Sequence, residues 1–146
     1  MQASVGSRTF VASLIHTTML NATLPLWAKF IGYFFGAGLI FIGARFLILP
    51  ETAELGFGLL YAQPNESFHY IKGVRDLTSG LFFTVFTLAG WRKPLGALFL
   101  IGSIIPVADM IIVLTAPAAV LGTAWIHGLT ALAAWVGGYF LLRQKS

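Results

Sequence analysis

Four long apolar stretches, each closed by proline, glycine or basic residues, dominate this chain. Stretches of this kind predict membrane-crossing helices once they approach about 20 residues. They run over residues 29–49, 68–90, 94–116 and 117–142. In the second, the purely apolar part from Leu77 to Gly90 is too short to cross, so the helix has to draw Arg75 and Asp76 into the membrane. Residues 1–28 are broken by His16, Thr17, Thr18 and Pro25, too polar for a span and without a signal-peptide layout, and they predict an interfacial segment. The pattern therefore predicts an all-α integral membrane four-helix bundle over 29–146, preceded by that segment. Between the first two helices lies a greasy loop, 50–67, containing Leu55, Phe57, Leu59, Leu60 and Tyr61. Glu-Thr-Ala-Glu at 51–54 can start a short helix, although Gly56 and Gly58 argue against a rigid one, and a half-buried lid and a plain interfacial connector are both open for the loop.

Each stretch carries one charged or titratable residue 16 positions from a basic anchor: Arg45 from Lys29, Asp76 from Arg92, Asp109 from Lys93 and His127 from Arg143. At about 1.5 Å rise per residue, all four lie roughly 24 Å from a common basic rim. In a hydrocarbon core about 30 Å thick they share one layer just under the opposite face. Intramembrane charges are costly and face a bundle interior, a cavity or each other.

Composition fits this picture. Of 146 residues 58% are hydrophobic and 10% charged, with a mean hydropathy of +0.86, too little charge to cover a soluble domain of this size. There is no cysteine, hence no disulfide framework or thiol nucleophile. The net charge of +4 comes from basic residues scattered at helix ends, which excludes a nucleic-acid-binding patch and fits membrane anchoring. Arg8, Lys29, Arg92, Lys93, Arg143 and Lys145 fall on one side; Glu51, Glu54 and Glu66 fall on the other, with Lys72 near them. The positive-inside rule then predicts cytoplasmic termini and a charged layer toward the lumenal or external face. Asn65-Glu66-Ser67 is a glycosylation sequon on that side, too near the membrane for use.

His69, Lys72, Asp76 and Ser79 recur at three- and four-residue spacing and share a helix face, with Arg75 beside it. Pro106 removes a backbone bond to Gly102 and opens the third helix near Asp109. Thr123, His127 and Thr130 form a stripe on the fourth. Two carboxylates, two guanidiniums and an imidazole converge in an apolar bundle, the ingredients of proton transfer between an acid and a base at similar depth. The same residues can equally be ion pairs that fix helix packing, with His127 giving one hydrogen bond. No metal-ligand spacing and no nucleophile elbow is present, and no cofactor is expected. A proton-coupled transporter fits less well, because the charges cluster near one face and the halves show no inverted echo.

Arg45…Pro50-Glu51 with Gly56, Gly-Val-Arg-Asp at 73–76 with Gly80, Arg92-Lys93-Pro94-Leu95-Gly96, Asp109 and His127 carry a family likeness over about residues 30–142. The chain resembles a family of small four-helix membrane proteins common in fungi, long catalogued as a domain of unknown function. Some of its relatives accompany polyene-pyrone pathways of the aurovertin, citreoviridin and asteltoxin type and are assigned as epoxide hydrolases or epoxide-opening cyclases. The resemblance implies an enzyme of the endoplasmic reticulum acting on a lipophilic epoxide, with membrane lipid around it and self-association open. By analogy with the Asp-Arg-Asp grouping of soluble limonene-type epoxide hydrolases, it implies Asp76 and Asp109 as acid and base, one of Arg45 or Arg75 as their bridge, and His127 as an orienting or alkoxide-stabilising group. The alternatives are a terpenoid or sterol-like isomerase or cyclase, and a non-catalytic lipid-binding or assembly subunit. Tyr70, Ser79, Phe83 and Trp125 are the expected substrate-contacting residues, the aromatic ones as walls for a carbocation in the cyclase reading.

Overall fold

The structure, a computed structural model, describes residues 24–59, 67–117 and 119–144. The interfacial segment expected over 1–28, apart from its last five residues, and the 65–67 sequon, apart from Ser67, lie outside them. The described residues are all-helical, with six α-helices and no strand: α1 (Leu26–Ile48), α2 (Pro50–Phe57), α3 (Ser67–Leu88), α4 (Arg92–Gly102), α5 (Ile104–Thr115) and α6 (Ala124–Arg143). A 3-10 turn, Leu121–Thr123, leads into α6. Among the described residues, three segments are long and apolar enough to cross a membrane: Leu26–Ile48, Arg92–Thr115 and Leu121–Arg143. α3, at 22 residues, is nearly as long but carries Lys72, Arg75 and Asp76 in its first half.

Small residues set the packing. α1 and α3 run antiparallel, and a Cβ at Gly43 would stand 2.6 Å from the Leu77 nitrogen, while one at Gly80 would stand 2.7 Å from the Gly36 carbonyl. Such backbone-to-backbone approach is how helices associate where burial of apolar surface gives no drive. α4 and α6 pair likewise, with Gly138 against the Gly96 carbonyl. The molecule thus consists of two antiparallel units, α1 with α3 and α4–α5 with α6.

One apolar cluster joins the units at the end that carries Lys29, Arg92, Lys93 and Arg143; it contains Ala28, Phe83, Leu95, Phe99, Ala134 and Leu141. A second, with Phe46, Ala53, Phe57, Val113 and Ala124, closes the opposite end. The middle is left for a cavity.

Three local features differ from the expected layout or sharpen it. The third apolar stretch is broken at Ser103, because Pro106 has no N–H to return to the Gly102 carbonyl. Pro117, Ala119 and Val120 do not belong to the fourth helix; the Val120 N–H instead binds the Gly58 carbonyl at 2.9 Å. The stretch after Pro50 is a regular helix despite Gly56, since Gly58, at φ 108°, ends it in the left-handed conformation and both Gly58 and Leu59 return N–H groups to Glu54. The expectation that its glycines disfavour a helix is corrected: Gly58 caps the helix and does not interrupt it.

Candidate functional site

The cavity between the two apolar clusters has a volume of about 350 Å³. Its walls are mostly apolar, supplied by residues such as Phe35, Leu39, Phe83, Leu98 and Ile105. Arg45, Asp76, Asp109 and His127, the four residues spaced 16 from the basic rim, all line it.

Asp76 from α3 and Asp109 from α5 face each other across two cations. Lys72 sits one turn before Asp76, so the same helix delivers a cation beside its own carboxylate. Its Nζ donates to Asp76 Oδ2 at 2.8 Å and to Asp109 Oδ2 at 3.2 Å. Arg75 donates from Nε to Asp76 Oδ1 at 3.0 Å and from Nη2 to Asp109 Oδ2 at 3.2 Å. The Lys72, Asp76 and Asp109 side chains are all more than nine-tenths buried, whereas that of Arg75 is 35% exposed. Both carboxylates therefore accept from both cations, and the four formal charges cancel. That cancellation lets four ionisable groups share an apolar interior, where a lone charge is strongly disfavoured.

Lys72 is also placed by aromatic rings. Its Nζ lies 4.6 Å from the Phe57 ring centroid and 5.1 Å from that of Phe46, within range of cation–π attraction. It lines the cavity, and Arg75 does not.

α2 roofs the cavity with Ala53, Gly56 and Phe57 and is fastened from three sides. Arg45 Nη2 donates to the Thr52 carbonyl at 3.1 Å. Glu54 pairs with His69 Nε2 at 3.0 Å, both residues being buried. His127 Nε2 lies 3.0 Å from the Phe57 carbonyl, and Thr123 Oγ1 donates to the same oxygen at 3.2 Å. A carbonyl only accepts, so His127 donates from Nε2.

The residues singled out in the sequence are thus partly brought together, with changes of partner. Arg75 bridges the aspartates. Arg45 does not; it lines the cavity but spends its hydrogen bond on the α2 backbone, because Lys72 already occupies the space between the carboxylates. Of the expected wall residues, Ser79 and Phe83 line the cavity, with the Ser79 hydroxyl donating to the Arg75 carbonyl at 2.8 Å. Tyr70 and Trp125 do not: they are 51% and 72% exposed on the outer surface, which corrects their expected role as walls. Lys72 and the Glu54–His69 pair were not among the expected site residues. Lys72 and His69 share the stripe of Asp76, which was the available signal.

No curated protein and no solved structure matches the chain. Residues 36–141, which hold α2 to α5 entire, most of α1 and α6, and all four members of the ionic cluster, match one family. By that match the chain belongs to the family described as a domain of unknown function, DUF4267.

Proposed function

We propose that this protein is a four-span membrane enzyme that opens the epoxide of a lipophilic substrate by acid–base catalysis. The observation that carries the reading is the pair of carboxylates from different helices, each bonded to both Lys72 and Arg75, on the wall of an apolar cavity. Epoxide opening without a covalent intermediate needs a base for the incoming oxygen and a donor for the departing one. A carboxylate, Asp76 or Asp109, takes the proton of water or of a substrate hydroxyl as its oxygen attacks an epoxide carbon. The carbon–oxygen bond breaks, and the alkoxide takes a proton from the Lys72 ammonium. The resulting carboxylic acid returns a proton to the Lys72 amine, which lies 2.8 Å from one carboxylate and 3.2 Å from the other. Water as nucleophile gives a diol, a substrate hydroxyl gives a cyclic ether, and either way the cluster ends as it began. Lys72 thus takes the donor role that two aspartates alone would have to share.

α3 supplies the fourth span, its ionised side chains balanced within the cluster. The basic rim of Lys29, Arg92, Lys93 and Arg143 faces the cytoplasm, and α2 covers the site from the lumenal or external side as a lid. Cysteines introduced at Ser146 and Ser67 of this cysteine-free chain are expected to react with impermeant thiol reagents from opposite sides of sealed vesicles. Reaction from the same side would overturn the four-span topology.

The functional test is incubation of the purified protein in lipid with polyene epoxides, with products followed by mass spectrometry. Gain of one water or an isomeric cyclic ether is the expected result. Binding without conversion would favour a lipid-binding subunit instead. A carbocation-type cyclase draws less support, because two of its three expected aromatic walls, Tyr70 and Trp125, lie outside the cavity.

A further inference from the structure

The cavity has walls of unequal kind. Between α3 and α5 it is closed by the ion pairs of Lys72 and Arg75 with Asp109. Between α3 and α4 it is closed by Phe83 against Phe99, whose ring centroids are 4.6 Å apart. At its roof lies α2. Between α1 and α6 there is little direct contact. There the walls are two facing stripes, Leu39, Ile42 and Arg45 on α1 and Ile126, Thr130 and Ala134 on α6. Ile42 and Ile126 both line the cavity, yet they are 40% and 61% exposed on the outer surface of the bundle. A side chain that borders the interior space and the exterior at once marks an opening.

We propose that the cavity opens sideways through the α1–α6 seam into the bilayer, with Ile42 and Ile126 as its doorposts, and that its ligand is an elongated apolar molecule dissolved in lipid. The exterior around the doorposts is apolar, with Phe41, Leu129 and Trp125 exposed beside them, so the opening faces hydrocarbon and excludes a hydrated solute. The volume argues for a long ligand only partly enclosed. About 350 Å³ lies near the low end of ligand pockets, which run roughly 300–1,000 Å³. A chain-like molecule puts its reacting end against Lys72 and the carboxylates and leaves its tail in lipid through the seam. This inference rests on the membrane placement of α1 and α6 and not on which bond is opened.

The test is photolabelling of the full-length protein in lipid nanodiscs with a small aryl diazirine that partitions into the bilayer, with labelled residues mapped by mass spectrometry. Phe83 is 4% exposed and lines the cavity, so label on it reports entry; Ile111, 54% exposed on α5 and outside the cavity lining, reports contact with lipid. The expected result is label on both residues from the bilayer reagent, and none on Phe83 from a sulfonated, water-soluble diazirine. Ile42→Trp combined with Ile126→Trp should cut Phe83 labelling several-fold relative to Ile111, and Ile126→Ala should raise it. Because the alanine variant moves the signal the opposite way, a tryptophan variant that fails to insert does not leave the question open. Absence of label on Phe83, entry from the water-soluble reagent, or labelling indifferent to all three substitutions would overturn the portal. Labelling needs no turnover, so failure of the portal and failure of the epoxide reading are separate outcomes.

Discussion

Asp109→Asn is expected to lower epoxide turnover per folded molecule by about a hundredfold or more, and Asp76→Asn to do the same. The amide keeps the shape of the side chain, but at the carboxylate that serves as base it cannot take the proton of the attacking oxygen, and at the other it withdraws a charged acceptor that holds the Lys72 ammonium in place. Either change also leaves the cluster one positive charge in excess, with Lys72 more than nine-tenths buried, so a stability loss of about 3–5 kcal/mol accompanies it. The two effects are separated by restoring neutrality. Arg75→Gln added to Asp109→Asn leaves the Lys72–Asp76 pair, bonded at 2.8 Å, without excess charge. Thermal stability in detergent should recover and turnover should not. Recovery of both together would show that Asp109 serves packing alone.

Lys72→Arg should be nearly as damaging to turnover while sparing the fold. Arginine keeps the positive charge and can still donate to both carboxylates, but its guanidinium does not release a proton in a protein. If Lys72 supplies the proton to the departing oxygen, the rate should fall by about a hundredfold. A purely electrostatic Lys72 predicts near-normal turnover in this variant. Lys72→Met is the complementary change. It leaves the apolar contact with Phe46 and Phe57 but strands a buried carboxylate, so unfolding temperature should drop sharply. A Lys72→Arg enzyme at wild-type rate would move the donor role back to a carboxyl group and leave epoxide opening itself standing.

Much of this arrangement is legible in the sequence because charge is so rare in the apolar stretches. Asp109 has no other charged residue nearby in its helix, and the short apolar run after Asp76 forces Arg75 and Asp76 inward. Pro106 announces the break at Ser103 through chemistry that no context alters. What the sequence hides is pairing across elements. Glu54 reads as a rim residue and Lys72 as a neighbour of Asp76 alone while their partners on other elements are unknown; only the fold brings Lys72 between two carboxylates and Glu54 onto His69. The start of the short helix after Pro50 is legible in Glu-Thr-Ala-Glu at 51–54, but its regularity was obscured because a left-handed glycine ends a helix as readily as it disrupts one. Trp125 was misjudged for a reason visible without the fold. It stands two positions before His127, and two positions turn about 200° round a helix, so both cannot face the cavity.

The ionic cluster bridges the two antiparallel units, and three of its four members also line the cavity, which limits how such a protein can change over evolutionary time. Asp109 reaches Lys72 and Arg75 from the opposite unit, so any drift in the reactive groups also disturbs the joint between the halves. The apolar lining carries no such double duty. Leu39, Leu98 and Ile105 border the cavity without taking part in the cluster, and each can be exchanged for another apolar side chain at small cost. Chemistry is thereby tethered to assembly, while preference among ligands is free to diversify.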